Sequence, residues 1–177
     1  MEKIAGAAAE QSTSLEDVTA VATKVIDNVR TMGVALSACT VPHAGKPSFD
    51  LSDNEVEIGI GIHGEPGRHR IPAESANEIT DRLLDPVMKD LALERGEQVI
   101  ALVNGMGGTP ECELYIVFDH LADRLDKAGI SIARSLVGSY VTSLDMQGAS
   151  ISLLRVDEQM LDLFDQPAAT VGYRKGM

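Results

Sequence analysis

A nearly uninterrupted apolar run, residues 98–103, passes directly into a glycine-rich loop and then into a long helical pattern. A strand with no polar alternation is what two covered faces require, because neither side of it meets water. The loop reads Asn104-Gly105-Met106-Gly107-Gly108, with Thr109 as the expected N-cap and Pro110 as the first helical residue. The helix is expected to stop at Gly129, and residues 130–136 read as another strand. A strand covered on both sides needs helical layers, which points to an α/β fold.

The rest of the chain keeps the same alternation. Residues 4–10 form an Ala-rich helical arm, too short to stand without docking on something. Ser14 opens a helix with acids in its first turn, and Val18, Val21, Ala22, Val25, Val29 and Met32 fall on one stripe up to Gly33 as the stop. Residues 34–41 are β-like until Pro42, Gly45 and Pro47 break them. Residues 55–62 alternate Val56, Ile58, Ile60 and Ile62 with Glu55, Glu57, Gly59 and Gly61, a period-two strand. Ser75 and Glu78 make a capping box, and Pro86 is expected to kink or end that helix near Asp85. Residues 149–156 are a further strand candidate and 157–164 a closing helix. The expected architecture is a mixed, largely parallel β-sheet flanked by helices on both faces. It forms one compact domain with an N-terminal helical arm.

Charge and composition narrow the partners. The 177 residues carry 27 acidic and 15 basic side chains, a net charge of −12. That field repels phosphate backbones and anionic lipid, so neither nucleic acid nor a membrane surface is an expected partner. With three Tyr, three Phe and no Trp, the chain also lacks aromatic platforms on which bases stack. No apolar run approaches a membrane span, and Met1-Glu2-Lys3-Ile4 lacks the basic start of a signal peptide. A cytoplasmic setting is expected. Cys39 and Cys112 give no disulfide framework; both read as buried apolar cysteines.

His63 is the residue with most chemical interest. It continues the strand face that carries Gly59 and Gly61, where missing side chains leave room for a ligand against the backbone. Gly64-Glu65-Pro66-Gly67 follows as a rigid turn holding Glu65 near the ring. The plainer reading is a loop histidine among turn glycines. His43, His69 and His120 are weaker candidates, no spacing matches a metal-ligand pattern, and no metal is expected. The loop of Asn104, Gly105, Gly107, Gly108 and Thr109 leaves a strand and opens a helix, so its amides could cradle an anion. It has neither the Lys-Ser/Thr ending of a phosphate loop nor dinucleotide glycine spacing. A tight crossover is the reading the loop supports by itself.

Taken in order, 33–42, Gly45-Lys46-Pro47, Gly59-Ile60-Gly61-Ile62-His63-Gly64-Glu65-Pro66-Gly67, 102–110 and Ser143-Leu144-Asp145-Met146 resemble the dihydroxyacetone (glycerone) kinase K subunit. The resemblance runs from about residue 3 to 167. It implies that His63 bonds covalently to the carbonyl carbon of dihydroxyacetone as a hemiaminal, for phosphorylation to dihydroxyacetone phosphate. Gly61, Gly64 and Glu65 would line the substrate. Asn104, Gly105, Gly107, Gly108 and Thr109 would face the site where a nucleotide-bearing L-type domain docks. ATP or ADP and Mg would sit on that partner, and this chain would hold no cofactor.

Only the second half of the family's K domain is resembled. Residues 1–177 thus read as a C-terminal half, with 1–12 as a linker helix. The first half, with its Gly-rich loop and acid/base residues, is an expected partner. The chain alone is expected to be inactive, and the intact subunit to be a homodimer. The tail 171–175 lacks the tryptophan common near the family's end. Two other readings fit the same residues. One is a non-catalytic sensor that contacts a transcription regulator. The other is part of a kinase for the four-carbon ketose erythrulose.

Overall fold

The structure, a computed structural model, describes residues 1–11, 14–63 and 67–176. Its elements run α1 (Glu2–Glu10), α2 (Leu15–Asn28), β1 (Val29–Ala35), β2 (Glu55–Ile58), β3 (His69–Pro72), α3 (Ala76–Leu91), β4 (Gln98–Gly105), α4 (Glu111–Ala128), β5 (Ser131–Gly138), β6 (Gly148–Arg155) and α5 (Glu158–Asp165). A short pair, β7 (Ala168–Ala169) and β8 (Arg174–Lys175), follows. Six strands form one sheet in the order β3-β2-β1-β6-β4-β5.

The helix starts follow the sequence closely. Ser14 with Asp17, and Ser75 with Glu78, form reciprocal capping boxes. Gly129 ends α4 in the left-handed conformation, at φ 75. Thr109 is displaced from the expected cap position by one residue, which Pro110 takes.

Four expectations need correction. The sheet is mixed, but only β4 and β5 pair in parallel; the other four pairings are antiparallel. The loop 139–147 contains no helix, so β6 returns antiparallel between β1 and β4. The stripe continuing to Met32 is not helical after Asn28, because 29–35 pair residue by residue with 148–154. Val29 and Met32, on one side of a helix by spacing, pack into clusters on opposite faces of the sheet. The expected strand 55–62 ends at Ile58, where Gly59 takes φ +81, and His63 lies in the turn beyond. Finally, α3 continues through Pro86 to Leu91, held down by buried Leu83, Leu84, Val87 and Leu91 on both sides of the proline.

Helices cover the sheet unequally. On one face α3 and α4 bury Val34, Val99, Ala101, Val103, Ile151 and Leu153. The two helices are tied by Asp81, which accepts from Arg124 and is hydrogen-bonded to Nε2 of His120 at 2.8 Å. On the other face α1, α2 and α5 cover only one end, burying Ile100 and Leu154 beneath Ile4, Val25, Met160 and Phe164. The arm thus docks. Among the described residues, no helix is long and apolar enough to cross a membrane.

The cysteines differ from each other. Cys39 is buried as expected, whereas Cys112 is exposed in the first turn of α4, a correction that follows from its place on the helix flank away from Leu114, Leu121 and Leu125. A thiol reagent is therefore expected to modify one cysteine per folded chain and two in denaturant. Two rapid modifications without denaturant would contradict this burial.

Asp165 anchors the tail. Its carboxylate accepts from Nε of Arg134 on β5 at 2.9 Å and from Lys175 on β8, and the Lys175 ammonium lies 4.4 Å from the centre of the Phe164 ring. These hydrogen bonds, Arg134 first, hold the carboxyl well below the usual carboxylate range. A depressed folded value contributes stability that is present above the unfolded value and lost as pH falls through the folded one. Asp165→Asn is expected to lower the unfolding temperature at pH 7. Its deficit against the parent should shrink as pH drops below about 4. A deficit that stays constant down to pH 2 would contradict the assignment.

Candidate functional site

The uncovered end of the second sheet face is a cleft of about 500 Å³. Its floor is built by register. Thr31 of β1 lies opposite Ser152 of β6, which lies opposite Leu102 of β4. One step along, Gly33, Ser150 and Asn104 form a second row. Neighbouring strands are about 4.8 Å apart, so the floor is three strands wide. Thr31 and Ser152 join their hydroxyls at 2.7 Å.

One wall is the segment that leaves β2. The Gly59 amide donates to the carbonyl of Gly33 at 2.7 Å, which brings 59–63 across the end of β1. Ile60 is buried with Ala35, Cys39, Met106 and Met146, and Ile62 packs against that cluster. Gly61 and His63 line the cleft, with His63 exposed. His63 thus borders a cleft, but by a different route from the one the alternation predicts. The strand face does not extend to it; the turn after Gly59 carries it there. Gly64 and Glu65 lie outside the described residues.

The opposite wall depends on Asn104, which is 2% exposed. Its Oδ1 accepts from the amides of Tyr140 and Val141 at 2.9 and 2.8 Å. Its Nδ2 donates to the Val141 carbonyl at 2.7 Å and to Ser150 Oγ at 3.4 Å. Every hydrogen-bonding site of the amide is thus used, three of them to hold loop 139–142 over the floor and one on Ser150 of β6. Burial, with the neighbouring Tyr173, Glu111 and Tyr115, pushes the Tyr140 phenol above its ordinary value. Its ring meets Tyr173 edge to face, with centroids 6.3 Å apart.

Met106 also lines this cleft, whereas Gly105, Gly107, Gly108 and Thr109 do not. The amide of Met106 donates to the Gly148 carbonyl at 3.1 Å and that of Gly108 to Met146 at 2.8 Å. Thr109 Oγ1 accepts from the Gly148 amide and donates to its carbonyl, both at 2.8 Å. Gly105 is buried at the end of β4, while Gly107 and Gly108 are exposed against loop 142–147. Backbone amides that close a loop onto β6 are not arranged as an anion cradle, which favours the tight-crossover reading of this segment. The other histidines are dispersed, with His43 and His69 exposed and His120 on Asp81.

The cleft floor was missed in the sequence. Its signal was the alternation of Ser150 and Ser152 with Ile151 and Leu153 in an otherwise apolar strand. Chemically, the arrangement offers an imidazole and a row of neutral hydroxyls in a hollow suited to a small polar molecule.

The comparisons agree with this architecture. A chain of *Escherichia coli* (strain K12) named the dihydroxyacetone-binding subunit DhaK of PEP-dependent dihydroxyacetone kinase is 43% identical over 96% of this chain and 54% of its own length. One of *Listeria innocua*, the dihydroxyacetone-binding subunit DhaK of PTS-dependent dihydroxyacetone kinase 1, is 44% identical over 97% of this chain and 52% of its own. The chain therefore spans about half the length of these relatives. A solved structure titled dihydroxyacetone kinase operon co-activator Dha-DhaQ superposes with a TM-score of 0.88 at 34% identity, over 93% of this chain and 51% of that one. The Dak1 domain model matches residues 1–172, and the chain belongs to the Dak1 domain family.

Proposed function

We propose that this chain is the ketone-capturing half of a dihydroxyacetone kinase K domain, with His63 as the residue that bonds to the substrate. The observation that carries the proposal is the place of His63 on the wall of a small, hydroxyl-floored cleft, in a chain similar to dihydroxyacetone-binding subunits. An imidazole nitrogen attacks the carbonyl carbon and forms a carbon–nitrogen bond. The carbonyl π bond breaks, its oxygen takes a proton, and the other ring nitrogen gives one up. The product is a neutral hemiaminal.

A terminal hydroxyl of the captured ketone then receives the phosphoryl group. The donor nucleotide and Mg belong to a separate L-type chain, and the base that takes the hydroxyl proton belongs to the first half of the K domain. Gly61 lines the cleft, and Gly64 and Glu65 share the substrate-binding role that the family resemblance implies. The face bearing exposed Gly107 and Gly108 meets the nucleotide-bearing partner. The whole assembly works in the cytoplasm as a homodimer of intact subunits.

The experiment uses dihydroxyacetone labelled with carbon-13 at its carbonyl. Titration with the chain is expected to drain the ketone signal into one from a tetrahedral carbon distinct from the hydrate. A ketone signal unchanged by excess chain would overturn the proposal. The similarity to an operon co-activator favours a second reading, in which captured ketone is sensed but not phosphorylated. Supplying the complementary half and a donor subunit separates the two readings, since only the kinase yields phosphorylated product.

A further inference from the structure

We infer that Thr31, Ser150 and Ser152 read the hydroxyl groups of a neutral polyhydroxylated ketone, and are specificity-determining residues of the cleft. The inference deepens the proposal above and rests on it only for where the carbonyl end lies.

The side chains on this face of the sheet change character where the helices end. Beneath α1, α2 and α5 the face presents Val29, Ile100 and Leu154. On β6, two and four residues before Leu154, the same face presents Ser152 and Ser150, and on β1 Thr31 follows Val29 after one residue. The hydroxyls therefore stand where no helix covers the sheet. They are also more than the fold needs. Thr31 and Ser152 bond to each other, but one donor and two acceptor sites per hydroxyl leave a proton and several lone pairs over. Ser150 accepts from Asn104 at 3.4 Å, and its own proton remains for a ligand.

The chemistry of the rest of the lining decides what that ligand is. Among the described residues, no Lys, Arg, Asp or Glu lines the cleft, and the chain as a whole carries a charge of −12. An anionic phosphate or carboxylate finds no counter-charge there, whereas an alcohol matches hydroxyls that both donate and accept. The cleft also exceeds what a three-carbon ketone fills, since hollows of 300 Å³ and more commonly hold much larger molecules. Room and hydroxyl partners remain beyond the carbonyl end. The floor is thus a site for unphosphorylated hydroxyketones, including those longer than three carbons, and disfavours retention of their phosphates.

The test is amide-resolved NMR titration of the chain with dihydroxyacetone, erythrulose and glycerol in parallel. All three are expected to move the amide signals of 31–33 and 150–152, and glycerol phosphate is expected not to. Ser152→Ala, and Thr31→Val, which keeps the side-chain shape, should each weaken erythrulose and glycerol about five- to tenfold, the loss of one neutral hydrogen bond. Both variants should keep the parent's spectrum elsewhere. Unmoved floor signals, unchanged affinity in both variants, or equal binding of glycerol phosphate would overturn the inference. His63→Ala separates it from the capture proposal. That variant should lose the part of the ketones' advantage over glycerol that comes from capture, while glycerol still moves the floor signals.

Discussion

Replacing His63 by alanine is expected to collapse the preference for dihydroxyacetone over glycerol to no more than about a hundredfold, and to abolish the tetrahedral adduct altogether. Dihydroxyacetone and glycerol are nearly equal in size and carry the same two terminal hydroxyls. The floor of Thr31, Ser150 and Ser152 would, on the inference above, meet those hydroxyls alike in both molecules. Shape and hydrogen bonding in a pocket rarely separate compounds that differ by one such group by more than about 10². A bond to the carbonyl carbon is available to the ketone alone, so the excess discrimination resides in the imidazole. His63 is exposed in a turn, and its loss should change stability by only about 0.5 kcal/mol. The variant therefore tests chemistry and not folding. His63→Asn, which keeps hydrogen-bonding capacity without a nucleophilic ring, should behave like His63→Ala. The check is the ratio of the two dissociation constants with adduct formation followed by carbon-13 NMR. Retention of either the ratio or the adduct in both variants would remove His63 from the proposed chemistry.

How much of this was legible in the sequence depended on whether the signal was local. Caps at Ser14 and Ser75 and the stop at Gly129 are written within a few residues and appear as read; the strand read at 98–103 appears too, extended by pairing through Asn104 and Gly105. Pairing is not local. Val29-Arg30-Thr31-Met32 continues a helical stripe by spacing, and only the ladder to Ser152 and its neighbours pulls it into β1. The edge strand β3, with His69 and Arg70, gave no apolar alternation to read. It is held by its pairing to β2 and by Arg70, whose Nε donates to the buried Glu57 carboxylate at 2.7 Å. Likewise His63 stood out because glycines surround it in sequence, whereas the floor beneath is assembled from three strands whose contributing residues are far apart in the chain. Asn104 illustrates the limit from the other side. Its place in a glycine loop suggested a role toward an anion, and three of its four hydrogen bonds hold loop 139–142.

The wall held by Asn104 leads to the largest expected loss of stability, at Gly107. This residue has φ +121, and a Cβ on it would stand 1.9 Å from the Leu144 carbonyl oxygen and 2.9 Å from the carbonyl carbon. The obstacle is backbone, so no side-chain rotation relieves it. Nor can Leu144 move easily. It already holds φ 48, uncommon for a non-glycine residue, between the Ser143 amide that donates to the Met106 carbonyl at 2.7 Å and the Gly108 amide that donates to Met146. Shifting it would draw Met106 and Met146, exposed by 1% and 0%, out of their cluster with Ala35, Cys39 and Ile60. Gly107→Ala is therefore expected to cost about 3 kcal/mol or more, combining left-handed strain with lost packing. For a chain of this size that is a fall of roughly 6–12 °C in unfolding temperature. Gly45→Ala is the control, since Gly45 also has positive φ, at +61, but nothing lies within 4 Å of the added carbon. It should lose about 1–2 kcal/mol, from backbone strain alone. Because loop 139–147 carries Val141 into the cleft wall, Gly107→Ala should also weaken ketone binding in whatever fraction stays folded, and Gly45→Ala should not. Equal melting temperatures for the two variants would show that the close approach at Leu144 does not hold the loop in place.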